Sequence, residues 1–335
     1  MKFFRLSSGL FRIMLLIGLA LIGVWCVGAM YYTIAWTGWQ RCVGTLLFAA
    51  AEVSLLIAAI RTRSFLPVFD WTFLELLVIG YFASLTPQEC FRGTKWQTPW
   101  GRRASVIFDG SRAEIRDVRD FVYRTEHDYD VRYITVRIDL NEVRCMDVAL
   151  SHWDGLTGIA HTMLTFGFAD DRFLAFSMET RLPVGSSQGF IPGIYKQYEI
   201  LPIIATEDDL FKLRTNYRGE ELFLYRTKAT PEQCRVILSA LLKAVNRQHA
   251  VPEFYNSVTH NCNFGLIMML RWLVPGFTDD IRLLFNGYSD ELLYDLNYLE
   301  HRRGESFREL KRRRRANDHV TASPNYSEAI RTDLL

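Results

Sequence analysis

Cys262 stands in the run Val258-Thr259-His260-Asn261-Cys262, where a polar loop gives way to the apolar stretch 262–273, CNFGLIMMLRWL. The 3.6-residue spacing of that stretch predicts a buried helix, so Cys262 falls at its N-terminus. A thiol there feels the positive end of the helix macrodipole, which favours the thiolate, the form that acts as a nucleophile. The competing reading is a small buried residue with no chemistry. A thiol nucleophile needs a base, and three histidines are available: His161, His152 and His260.

His161 opens the apolar run 161–168, HTMLTFGF, which reads as one arm of a hairpin with 172–179, RFLAFSME, around a turn at 169–171. Such a turn sets Phe168 against Arg172, and the same register sets His161 directly against Glu179. Facing side chains on one sheet face lie about 4.5–5.5 Å apart at Cβ, so Glu179 is placed to hold the imidazole. A two-residue turn would set Thr180 there instead, and an exposed Glu179 could pair with Arg181. Cys, His and Glu then make a nucleophile, a base and an orienting carboxylate. Zinc is not expected: three histidines and one Cys match no ligand spacing, and no C-x-x-C occurs. Cys145 and Cys234 are the pair that an oxidising compartment could join.

The elements that must position these residues are mixed. Period-two stretches at 104–108, 112–116, 119–123, 131–138, 145–149, 197–204 and 221–226 predict further strands. A short helix follows Thr206. A longer one is expected over 231–248, opened by Pro231, with Val236, Leu238, Leu241, Leu242 and Val245 on one face. Residues 288–315 read as polar helix. The fold class is α+β.

Ahead of this domain, residues 1–87 hold most of the chain's apolar length. Segments 13–36, 42–60 and 65–85 are each about the length a spanning helix needs, although the second carries Glu52 and the third Asp70 and Glu75. No small-residue cleavage site follows the first, so it reads as an anchor rather than a signal peptide. Lys2, Arg5 and Arg12 before the first span, and Arg61 and Arg63 between the second and third, put those ends in the cytoplasm. With three spans the domain emerges on the other side. Residues 88–103 form an irregular linker, 104–316 the domain, and 317–335 a flexible tail. A net charge of +2 leaves no case for nucleic acid, which demands a basic surface; the one basic run, 311–315, reads as a solvated helix end. No Gly-rich phosphate loop is present and no cofactor is required.

From Asp117 to about Leu266 the chain resembles the periplasmic-domain family at the N-terminal part of Lnb-type lipoprotein N-acyltransferases. Ordered segments carry the likeness. They are 118–124 (VRDFVYR), 159–162 (IAHT) with 164–168 (LTFGF), 179–181 (ETR), 197–200 (QYEI), 213–218 (LRTNYR), and 255–257 (YNS) followed by Asn261-Cys262. Where the family often continues Asn-Cys with two threonines, this chain has Asn263-Phe264-Gly265. The order His before Cys is similar to the circularly permuted papain-like arrangement. The resemblance implies an antiparallel sheet plus helices, a bacterial inner membrane location with the domain in the periplasm, and acyl transfer through a Cys262 thioester. His161 would be the base and Glu179 its support. The Cys262 N–H, with Asn261 or Tyr255, would steady the oxyanion, and Arg181 would sit nearby. The partner would be a membrane lipid or lipoprotein. Two other readings stay open: a membrane-tethered cysteine peptidase or amidase, and a non-catalytic envelope scaffold.

Overall fold

The computed structural model describes residues 2–33, 37–62, 66–153, 155–274, 280–321 and 323–332. Two compact units emerge. One gathers residues 1–94 with the short segments 188–198 and 254–256; the other takes the remainder.

The first unit is built on α1 (Lys2–Thr33), α2 (Trp39–Thr62) and α3 (Leu66–Ser84), followed by the single turn α4 (Pro87–Cys90). Within them Gly9–Thr33, Trp39–Thr62 and Leu66–Ser84 are long and apolar enough to span a bilayer. Residues 34–36 and 65 of the expected spans lie outside the described residues. Leu19, Ala59, Val68 and Trp71 form one buried cluster between the helices, and Cys26, Ala29, Phe48 and Val78 another. Ile17, Leu21, Val24, Leu47, Phe69 and Phe73 turn outward, as lipid-facing side chains do. Glu52 and Glu75 are buried between the helices, where the Trp71 indole N–H donates to Glu52. These two carboxyl groups face protein, which spares them the cost of meeting hydrocarbon. Asp70 is exposed near the start of α3.

The second unit is the α+β domain. Its strands are β1 (Ser105–Asp109), β2 (Arg112–Arg119), β3 (Val122–Tyr123), β4 (Tyr129–Asp130), β5 (Tyr133–Asp139), β6 (Val143–His152), β7 (His161–Phe168), β8 (Phe173–Arg181), β9 (Glu199–Ala205) and β10 (Glu221–Arg226). The main sheet runs β1-β2-β9-β8-β7-β6-β10, with β5 also on β2. Every ladder is antiparallel except the single β2–β9 bridge between Arg119 and Ala205. In β7 and β9 nearly every residue is buried, because both faces of the central strands are covered.

The β8–β9 connection holds α5 (Phe190–Ile194), and α6 (Glu207–Leu210) follows β9. Helix α7 (Pro231–Ala250) opens with a capping box between Thr230 and Gln233 and has Pro231 in its first turn. Cys234, Ile237, Leu238, Leu241, Leu242 and Val245 form its buried stripe against β6 and β1; Val236 is only half-buried. Helix α8 (Phe264–Leu273) packs on α7, β7 and β8.

Three expectations need correction. Helix α8 begins at Phe264, so Cys262 lies in the turn just ahead of it. The expected polar helix over 288–315 is broken into α10 (Ser289–Asp295) and α11 (Phe307–Arg313), after α9 (Ile281–Leu284). Asn297 and Gly304 between them take φ of 58° and 77°, a left-handed backbone that ends a helix. Of the expected flexible tail, the described residues 317–321 and 323–332 include ordered, buried positions. Its last helix, α12 (Tyr326–Ala329), buries Tyr326 and Ile330 in the domain core. The Arg331 guanidinium pairs with Asp147 at 2.9 Å and Glu207 at 2.6 Å, both fully buried carboxylates.

Candidate functional site

Strand pairing does the first part of the assembly. Met163 faces Ser177 and Gly167 faces Phe173 across β7–β8, the register of a turn over 169–171. That register carries Glu179 to the start of β7, and His161 Nε2 lies 3.2 Å from Glu179 Oε1. Ser177 stands between them. Its hydroxyl is 2.6 Å from His161 Nε2 and donates to Glu179 Oε1 at 2.7 Å. The Ser177 oxygen is thus left to accept from Nε2–H, which fixes the ring's tautomer and orientation.

Glu179 has a second partner, from another element. The π-helical turn Leu213–Arg218 delivers Arg214, 4% exposed, whose Nη2 reaches Glu179 Oε1 at 3.3 Å. Nη1 is tied back to the Leu210 carbonyl at 2.7 Å, and Nε lies 3.6 Å from Glu220. Glu220 in turn accepts from Ser151, which faces His161 across β6–β7. Two arms of one network therefore bracket the imidazole.

Cys262 is half-buried and brought to the same point by the turn before α8. Asn261 shapes that turn: its amide nitrogen donates to the Ser257 carbonyl and its oxygen accepts from the Asn263 N–H, both at 3.0 Å. Asn263, buried, donates to the Leu283 carbonyl at 2.6 Å and accepts from Thr162 at 3.0 Å. Asn286 locks the opposite side. Its amide oxygen takes the Ala160 N–H at 2.9 Å, and its nitrogen gives to the Ala160 carbonyl at 2.5 Å and approaches Cys262 Sγ at 3.5 Å. The residue after it must be glycine, because a Cβ at Gly287 would lie 2.1 Å from the Thr157 carbonyl oxygen.

The electrostatics follow from this packing. Burial alone would push the His161 pKa down, but the Glu179 carboxylate and a hydrogen bond with Cys262 outweigh it and raise the value to about 9. Burial likewise raises the Cys262 thiol, yet the hydrogen bond and charge of His161, with the Thr162 N–H, bring it below its ordinary value. Glu179 is held well below the usual carboxylate range: burial opposes the charge, while His161 and Arg214 favour it more. Such a trio shifts the balance toward a thiolate–imidazolium pair.

The other sequence candidates have partners of their own. Arg181 does not serve Glu179; it pairs with Glu199 at 3.0 Å and donates to the Trp100 and Gly101 carbonyls. His260 pairs with Glu253 at 2.8 Å, and His152 packs edge-on against Phe223. Tyr255 belongs to the helical unit, with its ring edge-on to Tyr198. Both polar ends of the Asn261 side chain are occupied within its turn, which suits a scaffold for Cys262 better than an oxyanion donor. Cys145 and Cys234 are free thiols, and burial holds Cys234 up at about 12. Among the described residues no group of His, Cys, Asp and Glu is placed to hold a metal ion.

Sequence reading missed Ser177, Arg214 and Asn286. The alternation in 172–179 puts Ser177 and Glu179 on one face, a signal present but unused. Nothing local marks Arg214 or Asn286 as partners of residues so distant in the chain.

Residues 129–287 match the family model of the Lnb N-terminal periplasmic domain. The match takes in His161, Glu179, Arg214 and Cys262, and extends past the sequence resemblance to include Asn286. No curated protein and no solved structure matches the chain. The match to this periplasmic-domain family and the three candidate spans fit a membrane-anchored protein of the cell envelope.

Proposed function

We propose that this membrane-anchored protein, with its Lnb N-terminal periplasmic domain, is a thiol acyltransferase of the bacterial inner membrane, acting on a lipid or lipoprotein ester. The observation that carries the reading is the junction of Cys262, His161 and Glu179. Nucleophile, base and orienting carboxylate meet with the imidazole engaged on Nε2 and a thiol of lowered pKa.

The Cys262 thiolate attacks the ester carbonyl, forming a C–S bond and pushing the carbonyl electrons onto oxygen. The tetrahedral intermediate collapses with cleavage of the C–O bond, and the imidazolium of His161 gives its proton to the departing alcohol. An amine then attacks the thioester; His161 takes a proton from it and the thiolate leaves. By likeness to the family the amine is the α-amino group of a diacylglyceryl-modified lipoprotein. The Cys262 backbone N–H is the oxyanion donor we assign, since such donors need to be fixed before the charge develops. A domain tethered by three apolar helices suits substrates that never leave the bilayer.

The test is mass spectrometry of the purified protein given phospholipid and a diacylated lipoprotein, with Cys262→Ala and His161→Ala beside it. A fatty acyl adduct on Cys262 is expected, and His161→Ala should slow its formation by about 10²–10⁴. A thiol that alkylates readily but never carries an acyl group would sink the lipid donor and favour a peptidase or amidase. A thiol inert to small reagents would point to a scaffold.

A further inference from the structure

The β8–β9 connection leaves the sheet and packs with the membrane helices: residues 188–198 belong to the helical unit. Its attachments there are specific. Tyr195 stacks on Tyr32 at 5.2 Å between ring centroids, with Trp25 at 6.0 Å. The Lys196 ammonium caps the end of α3 through the Phe82 and Leu85 carbonyls at 2.7 and 3.2 Å, and Gln197 donates to the Tyr32 carbonyl at 2.9 Å. Lys196 thus neutralises the negative end of the α3 dipole.

The depth of this docking decides what surrounds it. A Cβ at Gly28 would lie 2.2 Å from the Tyr195 hydroxyl, so the tip of that ring fills a notch which only glycine leaves open. Gly28 lies five residues before the end of α1 at Thr33, roughly 7.5 Å down the axis at the α-helical rise. The span Gly9–Thr33 has 25 residues, about 37 Å of helix against about 30 Å of hydrocarbon. Tyr195 therefore reaches the edge of the acyl region rather than bulk water.

Ahead of it, α5 carries the sequence Phe190-Ile191-Pro192-Gly193-Ile194, with Phe190 61% and Ile191 51% exposed. Backbone placed at that depth must satisfy its polar groups internally, and this segment does so at Gly189, Gly193 and Tyr195. Gly189 N–H donates to the Tyr198 hydroxyl, Gly193 N–H to the Gly189 carbonyl, and Tyr195 N–H to the Pro192 carbonyl, all near 3.1 Å or closer. Gln197 serves the Tyr195 carbonyl at 3.0 Å, and Pro192 has no N–H to satisfy.

We propose that residues 188–197 form a monotopic membrane element: Phe190 and Ile191 enter the acyl chains of the leaflet that holds the C-terminal ends of α1 and α3. The partner is the lipid bilayer itself, and the proposal stands whether or not Cys262 carries acyl groups.

Site-specific photo-crosslinking of the full-length protein in phospholipid vesicles tests this. p-Benzoylphenylalanine is placed singly at 190, at 191, at 73 within α3 as the lipid-facing control, and at the exposed Val251 of the domain. Phospholipid adducts at 190 and 191 in yields like that at 73, with none at 251, are the expected result. Gly28→Leu closes the notch and should lower the adduct at 190 while leaving that at 73 unchanged. Lipid adducts at 73 alone, with 190 and 191 giving water-quenched or protein-linked products, would overturn the proposal.

Discussion

At Cys262 burial favours the neutral thiol, and the neighbouring imidazolium favours the thiolate; the imidazolium wins. Because His161 keeps its proton up to about 9, alkylation of Cys262 should set in below the ordinary thiol pKa. Glu179→Gln removes the charge that raises His161 and should move that onset to higher pH. Peptide-level iodoacetamide labelling reads it, and identical profiles in the two proteins would show that Glu179 does not tune the pair. The same shifts act on stability. Glu179 contributes above its unfolded carboxylate pKa and loses that contribution as pH falls through its depressed native value. His161 contributes fully below its ordinary value of 6.5 and loses it as pH rises through about 9. A second residue-scale prediction concerns Asn286. Asn286→Ala strands the Ala160 N–H and carbonyl, which costs about 1–3 kcal/mol for each buried group. Thermal melting in detergent should show the loss, together with slower alkylation of Cys262 as the strand start loosens.

Among the elements, the C-terminal helix α12 acts as a clasp. Arg331 neutralises Asp147 on β6 and Glu207 on α6, two carboxylates with 0% and 1% exposure. Arg331→Met leaves Asp147 to Arg226 but strips buried Glu207 of its cation, so it should destabilise the domain by about 3–5 kcal/mol. Adding Glu207→Gln should recover part of that loss, whereas a melting temperature unmoved by Arg331→Met would mean that the tail contributes little. The capping box of α7 is a smaller matter: Thr230→Ala is worth about 1 kcal/mol.

For the molecule as a whole, crossing by all three candidate spans would put Leu335 on the side of the membrane opposite Arg5. Arg5 ahead of the first candidate span, Arg12 near its start and Arg61 at the end of the second fit a cytoplasmic N-terminus by the positive-inside rule. A phosphatase fused after Leu335 should be active, and one fused at position 63 inactive. An inactive C-terminal fusion would mean that one apolar helix does not cross.

Sequence alone determined what local pattern determines. Three uncharged or nearly uncharged stretches fix the candidate spans by length, because hydrocarbon thickness sets the number of residues a helix needs. Alternation fixed most strands, and it left two turn lengths for the β7–β8 hairpin, of which the three-residue one gives the register that carries Glu179 to His161. Pro231 and the apolar stripe behind it fixed α7. Tertiary structure decided everything that depends on residues far apart in the chain. Arg214 reaches Glu179 across 35 positions, and Asn286 reaches Ala160 across 126. Arg181, next but one to Glu179, is taken by Glu199 instead. The tail binds because Asp147 and Glu207, unremarkable in their own segments, are both buried where the Arg331 guanidinium can pair with each. Charge pairing and burial depend on three-dimensional distance, which periodicity along the chain does not encode.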